Sequence, residues 1–304
     1  MARRHRTACL SSAALAAVFA LSSTGGAFAG AADTYYERAV MDAAGQRCKL
    51  FTPELGSALE AAEAQARGAA LRSGADEVRL NQLAERASAK VATVPCASAD
   101  IATGAARVRA AFAGYSKLQR MNYPGDLADW TADRSTSRQA AIWKLWQRDD
   151  VAQGRIVFGL AGKDGPSNLV VAASFADGAR PYAAQLVMRD VNFAPEPYLN
   201  SIQASANGHM PLSARMPPAQ GTRLFMAEAR GEGDPSLAPP GARSGVVFRF
   251  PKSAARILAE LDPREAVAIQ FLVPSPAGGD ETRTAYIEVG DFAAGWAFLA
   301  ADQR

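Results

Sequence analysis

The chain has 304 residues, with 33 Lys and Arg against 30 Asp and Glu. Beyond Arg3, Arg4 and Arg6 it has no run of cations, so the rest of the chain lacks the clustered positive charge that a nucleic-acid or anionic-membrane surface needs. Its only histidines are His5 and His209, too few for paired-histidine zinc chemistry once His5 is lost with the leader described next.

Residues 1–29 read as a cleaved export signal. Arg3, Arg4 and Arg6 give a basic start, Ala8 to Leu21 an apolar run, and Ala27-Phe28-Ala29 a small-x-small ending. The run falls short of the roughly 20 residues that span a membrane. Cleavage leaves no integral span in the mature chain, which is then periplasmic or secreted in a bacterium. It also removes three arginines and leaves 30 residues of each sign. His5 and Cys9 leave too, so Cys48 and Cys96 remain as an even pair in an oxidising compartment, where a disulfide forms.

Residues 33–119 have helical periodicity. Asp33 is expected to cap a first helix with Tyr36, Val40 and Ala43/Ala44 on one side. Thr52-Pro53-Glu54 starts a second, with a capping hydroxyl, proline at the first position and an acid near the positive end. A third runs from about Asp76 to Val94. The fourth, capped near Ser98, sets Ile101, Ala105, Val108, Phe112 and Tyr115 at heptad spacing, which predicts an intramolecular seam. Short connections make the helices antiparallel and bring Cys48 and Cys96 to the same end.

Residues 120–139, with Tyr123-Pro124-Gly125-Asp126, read as a linker. From 140 to 304 the pattern predicts a β-rich domain. Residues 141–148 set Ile142, Lys144, Trp146 and Arg148 on one face against Trp143 and Leu145 on the other. Lys144, Trp146 and Arg148 thus form a candidate ligand or partner ledge of alternating aromatic and cationic groups. Strands follow at 155–160, 169–175 and 181–193, which predicts an antiparallel meander of four strands. The long stretch 194–221 holds five prolines and His209, and loops of that length are often functional. Deleting 199–219 is expected to leave the fold intact. Strands resume at 223–229, 246–250, 267–273 and 282–289. A helix is expected after Pro251, and another is capped by Asp291. The order helix, strand, strand, Gly290-Asp291-Phe292 and an alanine-rich end resembles the tail of the invasion-associated locus B family of secreted proteins over about 247–301. That family's cysteines have no counterpart in the β-rich part, and no site residue is carried over.

The expected fold is therefore α+β in two domains. A disulfide-stapled antiparallel helical bundle precedes a mainly antiparallel β-sandwich-like domain with two late covering helices. No cofactor motif is present, and no nucleophile or metal set is complete. The function expected is an exported, non-catalytic protein that binds an envelope protein or small ligand. The surface candidates are Lys144, Trp146, Arg148, His209 and Glu228. The alternatives are a cell-envelope hydrolase using carboxylates and a structural or assembly factor. Asp149/Asp150 and Glu228/Glu232/Asp234 are the acid clusters open to a hydrolase. A buried acid pair between the domains would favour it.

Overall fold

The computed structural model describes residues 27–136, 142–151, 154–163, 165–199, 210–232, 236–240, 242, 245–275 and 278–300. Most of the expected leader lies outside them. Four helices come first: α1 (Ala27–Cys48), α2 (Pro53–Arg72), α3 (Glu77–Thr93) and α4 (Ala99–Tyr115). Their starts follow local chemistry. The side chains of Thr52, Asp76 and Ser98 accept from the N–H groups of Leu55, Val78 and Ile101, each satisfying a donor that the first turn leaves unpaired. The first helix is the exception. It runs through Asp33 and through the expected cleavage point after Ala29. Its buried side is Ala32, Tyr35, Ala39 and Ala44, a register offset from the one periodicity suggested.

Cys48 and Cys96 form the disulfide, with Cα atoms 5.6 Å apart. Arg47 adds a second tie at the same end, donating to the carbonyls of Val91 (2.6 Å) and Val94 (2.7 Å). Between α1 and α2 the acids crowd. Burial, then the charges of Asp42 and Glu60, push Glu63 from an ordinary 4.5 up to about 7. Between those values the folded chain holds a proton that the unfolded chain gives up, so stability falls as pH rises through that window. Above pH 7 Glu63→Gln is expected to raise stability by about 1 kcal/mol, after allowance for solvent screening of a half-buried group. The difference should vanish near pH 4, and equal effects at pH 4 and pH 8 in thermal melts would contradict the assignment.

After α4, the strands among the described residues form two stacked antiparallel sheets. The larger has seven strands in the order β1-β2-β3-β4-β5-β9-β8, and the smaller has four in the order β11-β10-β6-β7. These strands are β1 (Arg120–Tyr123), β2 (Trp130–Asp133), β3 (Ile142–Val151), β4 (Gly154–Gly162), β5 (Asn168–Phe175), β6 (Ala183–Arg189), β7 (Thr222–Met226), β8 (Ala229–Glu232), β9 (Val246–Phe250), β10 (Ala266–Pro274) and β11 (Asp280–Glu288). Between β9 and β10 lies α5 (Lys252–Glu260), and α6 (Phe292–Ala300) follows β11. The core between the sheets takes Phe158, Val171, Phe248 and Phe250 from one and Leu186, Ile269, Phe271 and Ile287 from the other. Phe175 meets Phe271 edge-on at 5.5 Å, an arrangement aromatic quadrupoles favour.

Two expectations change here. Residues 120–139 are not merely a connection, because β1 and β2 add two strands to the larger sheet. Trp130 is fully buried, its indole N–H donating to Val289 O at 2.9 Å. The four-strand meander stops after β5. Next to β5 the sheet places β9, and β6 pairs with β10 and β7 in the other sheet. The connection 176–182, with Gly178 at φ +75° and Pro181, is too long for a two-residue hairpin. It carries the chain across the ~10 Å between stacked sheets.

The helical bundle seats on the sandwich through α2 and α6. Arg72 donates to both oxygens of Asp291, at 2.7 and 2.9 Å. A Cβ on Gly68 would come within 2.6 Å of Asp291 Oδ1, so glycine there permits the close approach.

Candidate functional site

A carboxylate hydrolase would need acids that the fold leaves available. Glu288 and Asp291 are both buried near the junction of bundle and sandwich. Burial raises Asp291, Arg72 opposes that rise, and the charge of Glu288 adds to it. Both carboxylates are engaged. Glu288 accepts from the backbone N–H groups of Asp126 (2.6 Å), Leu127 (2.8 Å) and Ala128 (3.0 Å). Arg215 lies 3.7 Å from it and bonds Asp126 at 3.0 Å. A second buried pair, Arg189 with Glu265, is closed by two hydrogen bonds of 2.7 and 2.9 Å. Burial drives Glu265 upward, and Arg189 works against it. These are structural clamps, each carboxylate spent on donors of the fold itself.

The other acids lie elsewhere. Glu228 is exposed between β7 and β8, and its backbone N–H donates to Arg249 O at 2.8 Å. Glu232, also exposed, pairs with Arg180, whose hydrogen bond holds its carboxyl below the usual range. Asp149 sits on β3 opposite Ile156. Asp234 and His209 lie outside the described residues. Among the described residues no group of three or more His, Cys, Asp and Glu is placed to hold a metal ion.

The expected ledge on β3 is rearranged by a bulge. Trp143 pairs with Ala161 and Leu145 with Leu160, so Lys144 is the extra residue. Trp143 therefore faces away from Leu145 and packs with Ala161, Val170 and Leu237 outside the sandwich. Lys144 turns inward, 2 % exposed, and donates to Ser135 O. Trp146 and Arg148 stay on the outer face, the guanidinium 5.9 Å from the ring centroid, and Arg120 reaches the same ring at 5.9 Å. Arg120 also binds Asp133. Burial works to raise Asp133, yet hydrogen bonds from Ser135 and Arg120 carry it below the usual range. Sequence parity put Lys144 with Trp146, and the bulge separates them.

Exposed apolar groups lie on β7 and on the connection before it. The expected strand 223–229 is two strands in different sheets, β7 and β8, joined by residues 227–228. β7 ends the smaller sheet, and its Leu224 and Met226 are 57 % and 51 % exposed. Phe193 and Tyr198, 69 % and 48 % exposed, lie on the connection that leads from β6 to β7. Tyr198 packs beside Gly221, where a Cβ would come within 3.2 Å of its ring. That connection is anchored at its far end. Arg215 is buried and donates to the carbonyls of Met210 (2.9 Å) and Arg264 (3.5 Å) as well as to Asp126. Deleting 199–219 would remove this clamp, so the expectation of an intact fold is corrected. Sequence reasoning missed Leu224 and Met226, although their shared parity in Arg223–Ala229 was a signal that both could face one way.

No family model, curated protein or solved structure matches this chain. The likeness of 247–301 to the invasion-associated locus B tail therefore stays one of element order.

Proposed function

We propose that this is an exported, non-catalytic protein that binds a protein partner in the cell envelope. Its contact surface is the edge of β7 and the start of the β6–β7 connection. The observation that carries the reading is the pair Leu224 and Met226, 57 % and 51 % exposed on one face of the edge strand β7, with Phe193 and Tyr198 exposed on the connection that leads into it. Apolar side chains exposed side by side on an unpaired edge strand are a template for contact with another chain. The disulfide supports an oxidising compartment, and no helix among the described residues is long and apolar enough to cross a membrane. Engagement of Glu288, Asp291 and Glu265 in internal clamps favours binding over a carboxylate hydrolase.

A photo-reactive residue at Met226 or Tyr198 should give a discrete cross-linked adduct in intact cells. The same probe at exposed Glu85 on α3 should give none. Equal labelling from all three positions, or none from any, would contradict the assignment.

A further inference from the structure

We infer that β7 takes up an extended segment of the partner protein as an added β-strand, one in which apolar and acidic residues alternate. This rests on the binding reading above and specifies how the partner sits. The ladder shows which backbone groups are available. Ala227 N–H donates to Ala184 O and Asp190 N–H to Gly221 O, each at 2.9 Å. In an antiparallel pair hydrogen-bonded positions alternate, so with Leu186 opposite Phe225 and Met188 opposite Arg223, the odd-numbered residues 221–227 bond to β6. Leu224 and Met226 turn their N–H and C=O groups to the other side, the edge of the sheet. Their side chains are exposed as well. Thr222 shares their parity, but its N–H is already spent on Ala219 O. The edge thus offers two consecutive docking positions, each with a donor, an acceptor and an apolar side chain.

Charge decides what kind of strand fits. β7 carries no acid, and its exposed Arg223 lies across the ring of Phe225 at 5.0 Å. Asp190, Glu196 and Glu228 on the flanking connections balance Arg230 and Arg249 on β8 and β9, and Arg180 and Glu232 compensate each other, so Arg223, the one charge on β7, is what an added strand meets directly. A second copy of β7 is a poor occupant. Paired antiparallel about Leu224, the two Arg223 side chains would be diagonal neighbours at roughly 7–8 Å on one face. An acidic residue at that position meets Arg223 instead, while the alternate residues lie beside Leu224 and Met226.

The test uses the mature chain and a short synthetic peptide of alternating Val and Glu. The peptide should bind and slow hydrogen exchange at the Leu224 and Met226 amides. N-methylation of its bonding amides should weaken binding about tenfold, the loss expected for one or two hydrogen bonds, and Lys in place of Glu should weaken it further. Leu224→Pro should abolish binding yet leave thermal stability nearly unchanged, because this N–H does not join β6 and proline is tolerated where the N–H faces away from the ladder. Equal binding of the N-methylated peptide, or protection away from β7, would overturn the inference. So would a dimer of the chain itself that Leu224→Pro dissolves, which would make a second copy the occupant. If the Met226 cross-link persists while the peptide results fail, the binding reading survives and strand addition does not.

Discussion

Replacing both Cys48 and Cys96 by serine should lower stability by about 4 kcal/mol, the chain-entropy value for a closed loop of this length. The bridge joins residues separated by 48 positions and encloses α2 and α3. Without it the unfolded chain regains the freedom of that whole segment. The folded state loses little, because Arg47 still ties the end of α1 to Val91 and Val94. For a protein of this size the melting temperature should fall by about 10 °C. Denaturant unfolding with and without reductant measures it, and the reduced wild type should match the double variant. A wild type indifferent to reductant would contradict the expectation. The loss matters beyond the bundle, since α2 carries the Arg72 that seats it on α6 through Asp291.

Glu288→Ala should cost about 3–5 kcal/mol, the range for breaking a buried ionic cluster by removing one partner. The carboxylate is fully buried, and its removal strands three backbone N–H groups and takes one of two carboxylates from the buried Arg215, which keeps Asp126. Each unsatisfied buried donor carries a desolvation penalty of about 1–3 kcal/mol. Glu288→Gln keeps one acceptor oxygen and should cost roughly half as much. Hydrogen exchange at the 126–128 amides should accelerate in the alanine variant and less so in the glutamine variant. A loss below about 1 kcal/mol would show that water replaces the carboxylate. The effect should reach the proposed binding edge. Arg215 fixes the far end of the connection whose near end holds Tyr198 against Gly221. Loosening that clamp should weaken partner cross-linking from Tyr198 more than from Met226.

Helix starts at Thr52, Asp76 and Ser98 were readable because a cap is settled within three residues of itself. The disulfide was readable because short turns between helices leave few ways to place their ends. Strand positions such as 246–250 followed from period-two alternation. The bulge at Lys144 was not readable, since it depends on Leu160 and Ala161 of the neighbouring strand. Nor was the division of 223–229 between two sheets, because parity inside a strand says nothing about which strand lies beside it. The clamps were invisible for the same reason: Arg72 meets Asp291 across 219 positions, and Ala128 meets Glu288 across 160.

By itself, then, the sequence determined the helical bundle, its staple and the change to β-structure. Only the tertiary structure decided which acids are engaged and which strand edge stands open. Caps and periodicity are local energies, whereas pairing and burial are set by groups that meet only when distant segments fold together.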